Sequence, residues 1–234
     1  MIGTREPIGE EKKYQNKLVQ SGSNGETTAR CREQVVRKLN YAQEPAYFMQ
    51  LTDDWDVEEH PSLWVLGNPN LLKCELLALY CSRKCPGSVI RKSHEFAAHL
   101  RRKGTPVIGG FQTQVEKLCL ESLFHGTQPV VVCPARSIEA IRLTSRWRSR
   151  IDEGGLLLVS PFPFKHRRPT KETAWTRNLL VAAAAERIFF LHAAKDSNTF
   201  ALALQLLSEG REIFTFDIEA NKDLLEAGAT HHFS

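Results

Sequence analysis

Short apolar runs alternate with longer segments of helical periodicity over most of the chain. The runs that predict strands are Leu76 to Tyr80, Pro106 to Ile108, Pro129 to Val132, Leu156 to Val159, Ile188 to His192 and Glu212 to Thr215, with a short one near His231. The segments that predict helices are Ser88 to Lys103, Thr113 to His125, Ser137 to Ile151, Thr173 to Glu186, Thr199 to Glu209 and Asn221 to Ala227. This alternation is typical of a parallel sheet that is covered on both faces. It predicts an α/β fold with a Rossmann-like, doubly wound and mostly parallel sheet.

The first 60 residues follow a different pattern. Residues 1–28 are rich in Gly, Ser, Glu, Lys and Thr, so they bury too little apolar surface to offset the entropy that ordering costs. We expect a flexible leader there. The spacing of Val35, Val36 and Leu39 predicts one amphipathic helix from Thr28 to about Tyr41, closed by Pro45. The expected parts are therefore a leader (1–28), a helical N-terminal extension (29–60) and a Rossmann-like domain (61–234).

Length and cysteine placement bear on the compartment. A chain of 234 residues is long enough to bury a core without disulfide bonds. The six cysteines lie mostly in apolar segments, no secretory segment opens the chain, and no apolar run approaches the length of a membrane span. We therefore expect a cytoplasmic protein with reduced thiols and no membrane partner.

The net charge is +4, and the positive residues cluster. The clusters are Arg91, Lys92 and Arg101 to Lys103; Arg142, Arg146, Arg148 and Arg150; and Lys165 to Arg168 with Lys171. Such clusters suit a polyanion such as nucleic acid, although long basic side chains also solvate helix faces in any protein. For Arg101 to Lys103 we favour the interpretation that the side chains solvate a helix face. Contact with a ligand is favoured for Lys165 to Lys171, which lies in a proline-punctuated loop just after a predicted strand.

Candidate binding residues follow the predicted strands. In an open parallel sheet the ligand site lies beyond the carboxyl ends of the strands, where loops and helix N-termini bring unpaired N–H groups together. Arg83 offers a planar guanidinium to a phosphate, and Ser82 adds a hydroxyl. Gly109 and Gly110 are suited to close approach of a ligand and to a tight turn, and these two interpretations are compatible.

Several motifs resemble the DNA-processing protein A (DprA/Smf) family. The family's aromatic-rich run ending in Gly-Asn is similar to Leu63-Trp64-Val65-Leu66-Gly67-Asn68. Its strand entering Gly-Ser-Arg is similar to the run ending in Cys81-Ser82-Arg83-Lys84, and its strand entering Ser-Gly-Leu is similar to Val107-Ile108-Gly109-Gly110-Phe111. The family's Arg-Asn-Arg-Ile-Ile-Ala, Ser-Gly-Ser and Gln-Gly-Arg-Glu-Val-Phe runs are similar to Thr176-Arg177-Asn178-Leu179-Leu180-Val181-Ala182, Ser197-Asn198-Thr199 and Glu209-Gly210-Arg211-Glu212-Ile213-Phe214. The resemblance extends from about Ser62 to Ala229.

This resemblance implies a non-enzymatic domain that binds single-stranded DNA in recombination or in the uptake of foreign DNA. It implies a homodimer that passes the strand to a RecA-type recombinase, with no cofactor. The residues expected to bind phosphate are Ser82, Arg83, Lys84, Gly109, Gly110, Arg136, Lys165, Arg167, Arg168, Lys171, Arg177, Asn178, Ser197 and Thr199.

Some of these residues have two interpretations. By resemblance, Asn178 fixes the neighbouring loop, and Arg177 faces either phosphate or an internal carboxylate. Thr199 either caps a helix or shares an anion with its first amides. The rings of Phe162, Phe164 and Trp175 flank the basic loop and either stack on bases or belong to the core.

Three loops depart from the family. Cys81 stands where the family has glycine, Gln112-Thr113-Gln114-Val115-Glu116 where it has Ala-Arg-Gly-Ile-Asp, and Cys133-Pro134-Ala135 where it has Gly-Thr-Gly. Bulkier or stiffer residues at these places favour an extended nucleic-acid backbone over a tight mononucleotide cradle.

Two alternatives to DNA binding stay open. The segment Ile108 to Glu116 resembles, in its Gly-Gly, Thr and Glu, the loop of the cytokinin-activating phosphoribohydrolases, with Glu116 as the catalytic base of a nucleotide-hydrolysing enzyme. The other alternative is a nucleotide sensor that only signals to a partner. No Cys-x-x-Cys pair repeats, so we expect no metal site.

Overall fold

Runs of fully buried Val, Leu and Ile form the strands of one sheet in the computed structural model, which describes residues 35–48, 56 and 62–231. The strands are β1 (Arg37–Asn40), β2 (Ser62–Gly67), β3 (Leu77–Cys81), β4 (Val107–Gly109), β5 (Val130–Val132), β6 (Leu156–Ser160), β7 (Arg187–His192) and β8 (Ile213–Thr215). The helices are α1 (Gly87–Lys103), α2 (Gln114–Leu123), α3 (Ser145–Asp152), α4 (Lys171–Ala183), α5 (Asn198–Ser208) and α6 (Lys222–Glu226). Short 3₁₀ turns lie at Pro45–Tyr47, Pro69–Lys73, Ile138–Ala140 and Glu219–Asn221.

The strand order is β1-β2-β6-β5-β4-β3-β7-β8. Strands β3 to β8 are parallel, whereas β1 and β2 are antiparallel to their neighbours. The chain winds outward from β3 to β6 and then returns to place β7 on the other side of β3. The direction of winding therefore reverses between the neighbouring strands β3 and β7. Open α/β sheets bind ligands at such a switch point. The predicted doubly wound α/β fold is confirmed.

Apolar cores cover both faces of the sheet. Helices α1, α2 and α3 contribute Ala97, Leu120 and Ile151 to the core on one face. Helices α4, α5 and α6 contribute Leu180, Leu202 and Leu224 to the other core. Because each buried aliphatic side chain contributes roughly 1.5–3 kcal/mol, these cores hold the strand ends in place.

The helix predicted over Thr28 to Tyr41 is wrong in the part that the structure describes. Arg37–Asn40 is an edge strand that pairs antiparallel with β2, with Leu39 opposite Leu63 and fully buried. Over so short a segment, the spacing of Val35, Val36 and Leu39 fits both the period of a helix and the period of a strand. The segment forms a strand because it pairs with the open edge of β2. The predicted leader and residues 29–34 lie outside the described residues.

Two further elements differ from prediction. The helix expected from Ser137 to Ile151 is interrupted: its first residues form a 3₁₀ turn, and α3 begins only after Thr144, whose side chain accepts from the Trp147 N–H at 3.4 Å. The segment Ser62–Gly67 is strand β2, which the strand prediction omitted. Every helix in the described part of the chain is too short or too polar to cross a lipid bilayer.

Candidate nucleic-acid interface

The predicted binding residues that are exposed lie along one edge of the sheet. Arg83 and Lys84 follow β3, and Arg167 and Arg168 follow β6; all four are exposed. Because β3 and β6 are separated by β4 and β5, the carboxyl ends of these two strands lie about 14 Å apart at a strand spacing of about 4.8 Å. The sheet therefore brings together basic residues that are distant in sequence.

Three arginines line a surface cleft at this edge. The cleft has a volume of about 460 Å³ and is lined by Arg136, Ala140, Arg167 and Arg168. Arg136 comes from the loop after β5, and the other two arginines come from the basic loop (165–171) after β6. A guanidinium presents a planar set of donors that matches phosphate oxygens, so three of them around one cleft form a site suited to a polyanion.

Hydrogen bonds hold the two loops of this cleft together. The Ser137 N–H donates to the His166 carbonyl at 2.8 Å, and the Ser160 hydroxyl donates to the Arg136 carbonyl at 2.8 Å. The fully buried Ser160 oxygen also accepts from the Phe162 N–H at 3.1 Å. These serines position the arginines, and sequence analysis gave them no role. The position of Ser160, between a buried apolar run and Pro161, was the feature of the sequence that could have indicated this role.

The three candidate stacking rings separate into core and surface. Phe162 is only 7% exposed, and Trp175 is partly buried against the core that contains α4. Phe164 is 49% exposed, and the Arg167 guanidinium carbon lies 5.4 Å from its ring centroid. Phe164 is therefore the ring of the three that stands at the surface beside the cleft.

The basic loop ends in a capped helix. The Thr170 side chain accepts from the Thr173 N–H at 3.2 Å, while the Thr173 hydroxyl accepts from the Thr170 N–H at 2.9 Å. Lys171, the first residue of α4, is exposed at this N-terminus. A helix N-terminus carries partial positive charge, so it reinforces the positive potential of the lysine.

Ser82 and Ser197 bond to each other at the switch point. Their hydroxyl oxygens are 2.9 Å apart, and Ser82 Oγ also accepts from the Ala194 N–H at 2.9 Å. Ser82 is only 2% exposed. Ser197, and not Thr199, caps α5 by accepting from the Phe200 N–H at 3.1 Å. These hydroxyls join the loops after β3 and β7 to each other.

Arg177 is buried, with 5% of its surface exposed. It donates from Nη1 to the Cys133 carbonyl at 3.0 Å, from Nη2 to Gln112 Oε1 at 3.2 Å, and from Nε to Asn178 Oδ1 at 2.7 Å. The internal partners of the guanidinium are thus amides and a carbonyl instead of the carboxylate that we considered. Asn178 orients Arg177 through its side chain and accepts from the Tyr80 hydroxyl through its carbonyl at 2.8 Å. Arg177 ties the loops after β4 and β5 to α4.

The two glycines at the end of β4, Gly109 and Gly110, accommodate protein groups. A Cβ on Gly109 would meet the ring of Phe111 at 3.2 Å, and a Cβ on Gly110 would collide with the guanidinium of Arg177. Phe111 has a φ of 47° and folds back into the core at 5% exposure. The space beside each glycine is therefore filled by groups of the protein itself.

The carboxylate of Glu116 accepts three backbone hydrogen bonds. Its Oε1 accepts from the Cys81 N–H at 2.9 Å, and its Oε2 accepts from the N–H groups of Gln112 and Thr113 at 2.8 and 3.1 Å. It forms a capping box with Thr113 at the start of α2 and is 6% exposed. A carboxylate with its oxygens occupied in this way serves as a structural cap, which disfavours the enzyme hypothesis in which Glu116 is the base.

Burial also keeps the core thiols protonated. It raises the pKa of Cys119 and of Cys133 from 9.0 to about 12 and places the pKa of Cys81 far above its ordinary range. A thiol is nucleophilic only as the thiolate. Cys119 and Cys133 therefore act as small apolar residues at neutral pH, whereas Cys81, which lies beside the Cys85 thiol, ionises only rarely.

The model of one protein family covers most of the chain. The model for DNA recombination-mediator protein A matches residues 38–232. The chain belongs to this family. The resemblance proposed from the sequence motifs is confirmed.

Relatives agree with this assignment. Protein Smf of Borreliella burgdorferi is 25% identical over 165 residues, which cover 68% of this chain and 52% of the relative. The chain thus spans about half the length of that curated relative. DNA processing protein A of Streptococcus pneumoniae has a similar fold (TM-score 0.61, 17% identity, 84% of this chain and 76% of that one). A structure of DNA processing protein A from Helicobacter pylori, described for its single-stranded DNA binding mode, is also similar (TM-score 0.63, 19% identity, 78% and 87%).

Proposed function

We propose that this protein binds single-stranded DNA along the rim at the carboxyl ends of the parallel strands. The observation that carries the proposal is the cleft between the loops after β5 and β6, into which Arg136, Arg167 and Arg168 converge. Within residues 35–48, 56 and 62–231, none of these three forms an ion pair with a carboxylate. Three guanidinium groups in one cleft repel one another, and a polyanion relieves that repulsion.

The binding surface consists of the exposed cations of the rim. They are Arg83 and Lys84 after β3 and Lys165, Arg167, Arg168 and Lys171 after β6, together with the partly exposed Arg136 after β5. Each phosphate that they neutralise releases a counterion, so affinity depends on charge and salt and little on sequence. Phe164 at the surface adds a ring on which one base stacks.

The buried and partly buried members of the predicted set support this surface from beneath. Ser82 and Ser197 join two loops, Arg177 and Asn178 join two others to α4, and Gly110 makes room for Arg177. In this proposal they fix the positions of the exposed cations and do not themselves neutralise phosphate.

The wider role is proposed on family membership. A protein of this kind binds the single strand in recombination or in the uptake of foreign DNA, acts as a homodimer, and passes the strand to a RecA-type recombinase. Light scattering on the purified protein and co-precipitation with a recombinase in the presence of an oligonucleotide test the last two points.

Titration of a fluorescent oligonucleotide at two salt concentrations tests the binding itself. Neutralising several phosphates predicts a steep loss of affinity, on the order of 10³-fold between 50 and 200 mM salt if six or more contacts form. The double variant Arg167→Ala/Arg168→Ala removes two cleft cations, and we expect weaker binding with a smaller salt slope. The matched control is Arg102→Ala/Lys103→Ala, which removes the same charge from the C-terminal end of α1. Salt-independent binding, or equal losses in both variants, would refute the proposed rim.

A further inference from the structure

Two free thiols flank the turn that carries Arg83. Cys81 is the last residue of β3, and Cys85 lies four residues on, just before α1. Their Sγ atoms are 3.9 Å apart, with the Cys81 thiol directed at Cys85 Sγ. The residues between them are Ser82, Arg83 and Lys84. We call this segment the Arg83 turn.

We propose that Cys81 and Cys85 form a reversible disulfide that controls the position of the Arg83 turn. The effect on DNA rests on the proposed function, whereas formation of the bond does not. A disulfide needs an Sγ–Sγ distance of about 2.0 Å, so a closure of about 1.9 Å from the present separation is required. Among the free thiols within the described ranges, no other pair of sulfur atoms is in hydrogen-bond contact.

The oxidant that we propose is a low-molecular-weight disulfide such as oxidised glutathione. The Cys85 thiolate attacks one sulfur of the oxidant and breaks its S–S bond, which gives a mixed disulfide and one glutathione thiolate. The Cys81 thiolate then attacks Cys85 Sγ and expels the second glutathione thiolate. The two cysteine protons end on the two thiolates, so two cysteines are oxidised while one glutathione disulfide is reduced to two glutathione molecules.

Exposure and hydrogen bonding set the order of these steps. Cys85 is partly exposed, whereas Cys81 is only 3% exposed, so the oxidant reaches Cys85 first. Burial raises the pKa of Cys85, and the hydrogen bond from the Cys81 thiol acts in the opposite direction. Cys81 has the higher pKa because it is more deeply buried. The second step is therefore the slower one.

Closure of the disulfide moves the exposed side of the turn. The backbone of Cys81 is held by Glu116, and Ser82 is held by the His192 carbonyl at 2.8 Å and by Ser197. The displacement therefore falls on Arg83, Lys84 and Cys85. Because Arg83 is one of the proposed phosphate contacts, we expect the oxidised protein to bind single-stranded DNA about tenfold more weakly, the loss of one charge-assisted hydrogen bond.

Peptide mapping tests whether the bond forms. The folded protein is incubated with oxidised glutathione, alkylated and digested with trypsin, which cleaves after Arg83 and after Lys84. We expect residues 74–83 and 85–91 to be recovered as one disulfide-linked species that reductant separates. The link should survive Cys31→Ser and Cys74→Ser and be absent from Cys85→Ser. Failure to recover it, or its persistence only through Cys74, overturns the proposal.

Oligonucleotide titration then tests control. The oxidised protein should bind about tenfold more weakly than the reduced protein, reductant should restore the affinity, and Cys85→Ser should be insensitive to the oxidant. A linked peptide with unchanged affinity overturns control by the disulfide. If the reduced protein binds no DNA, the proposed function fails, and the peptide map alone then decides whether the disulfide forms.

Discussion

The guanidinium of Arg177 fills the space beside Gly110 in which any larger side chain at that position would lie. From there it reaches the carbonyl of Cys133 on the neighbouring loop. A residue that family resemblance places at the ligand pocket thus connects two loops from inside. The proposed binding rim is therefore built in two layers, with buried tethers below and exposed cations above.

Gly110→Ala should destabilise the protein. The added methyl group collides with the Arg177 guanidinium and pushes it from its acceptors, an overpacking change that typically costs about 1–3 kcal/mol. Urea unfolding measures the change. Gly87→Ala is the control because no atom lies within 4 Å of a Cβ at that position. Equal stability of the two variants would contradict the contact between Gly110 and Arg177.

Arg177 and Arg168 should respond to substitution in opposite ways. Arg177→Lys cannot keep the three hydrogen bonds of the buried guanidinium, so we expect a loss of about 1–3 kcal/mol in the free energy of unfolding. Arg168→Ala is an exposed change and should alter stability by no more than about 0.5 kcal/mol. Oligonucleotide affinity should fall in Arg168→Ala under conditions where the protein is fully folded. A stable Arg177→Lys variant that loses only DNA binding would place Arg177 in the interface instead.

Glu116→Gln should lower stability, because an amide nitrogen cannot accept the backbone N–H groups that the carboxylate accepts. At least one N–H, from Cys81 or from the pair at Gln112 and Thr113, loses its acceptor, which costs about 1–3 kcal/mol. Thermal unfolding checks this. Glu121→Gln, an exposed carboxylate paired with Arg146, should change stability by less than about 1 kcal/mol. Unchanged stability of Glu116→Gln would return Glu116 to consideration as a catalytic base.

Stability should fall as the pH rises above 9. In the unfolded chain the thiols ionise near 9.0, whereas burial in the folded protein raises the pKa of Cys119 and of Cys133 to about 12. The folded state therefore holds protons that the unfolded state has released, and the stabilisation present below pH 9 is lost between pH 9 and 12. Urea midpoints at pH 8 and 10.5 measure the loss. The double variant Cys119→Ala/Cys133→Ala should show a smaller pH dependence, and an equal dependence would show that other groups cause it.

Local sequence patterns predicted most of the secondary structure correctly. The parallel strands from Leu77 onward lie within two residues of their predicted positions, because apolar runs bounded by turns leave little choice. The pattern failed at Arg37–Asn40, where a long-range partner, β2, determines the conformation. Pairing with a distant strand leaves no trace in a short window of sequence.

Residue types and their order determined the α/β class, the family, and the edge of the sheet at which the charged loops meet. They did so because hydrophobic periodicity and strand-end placement are local properties. Only the tertiary structure decided which of the candidate residues are buried. Arg83 and Arg177 are both arginines within motifs that resemble the family. Arg83 is exposed, whereas Arg177 is buried among carbonyl and amide oxygens with 5% of its surface exposed. The reason is physical: burial depends on which groups from distant loops fill the space around a side chain, and that is fixed only when the sheet is assembled.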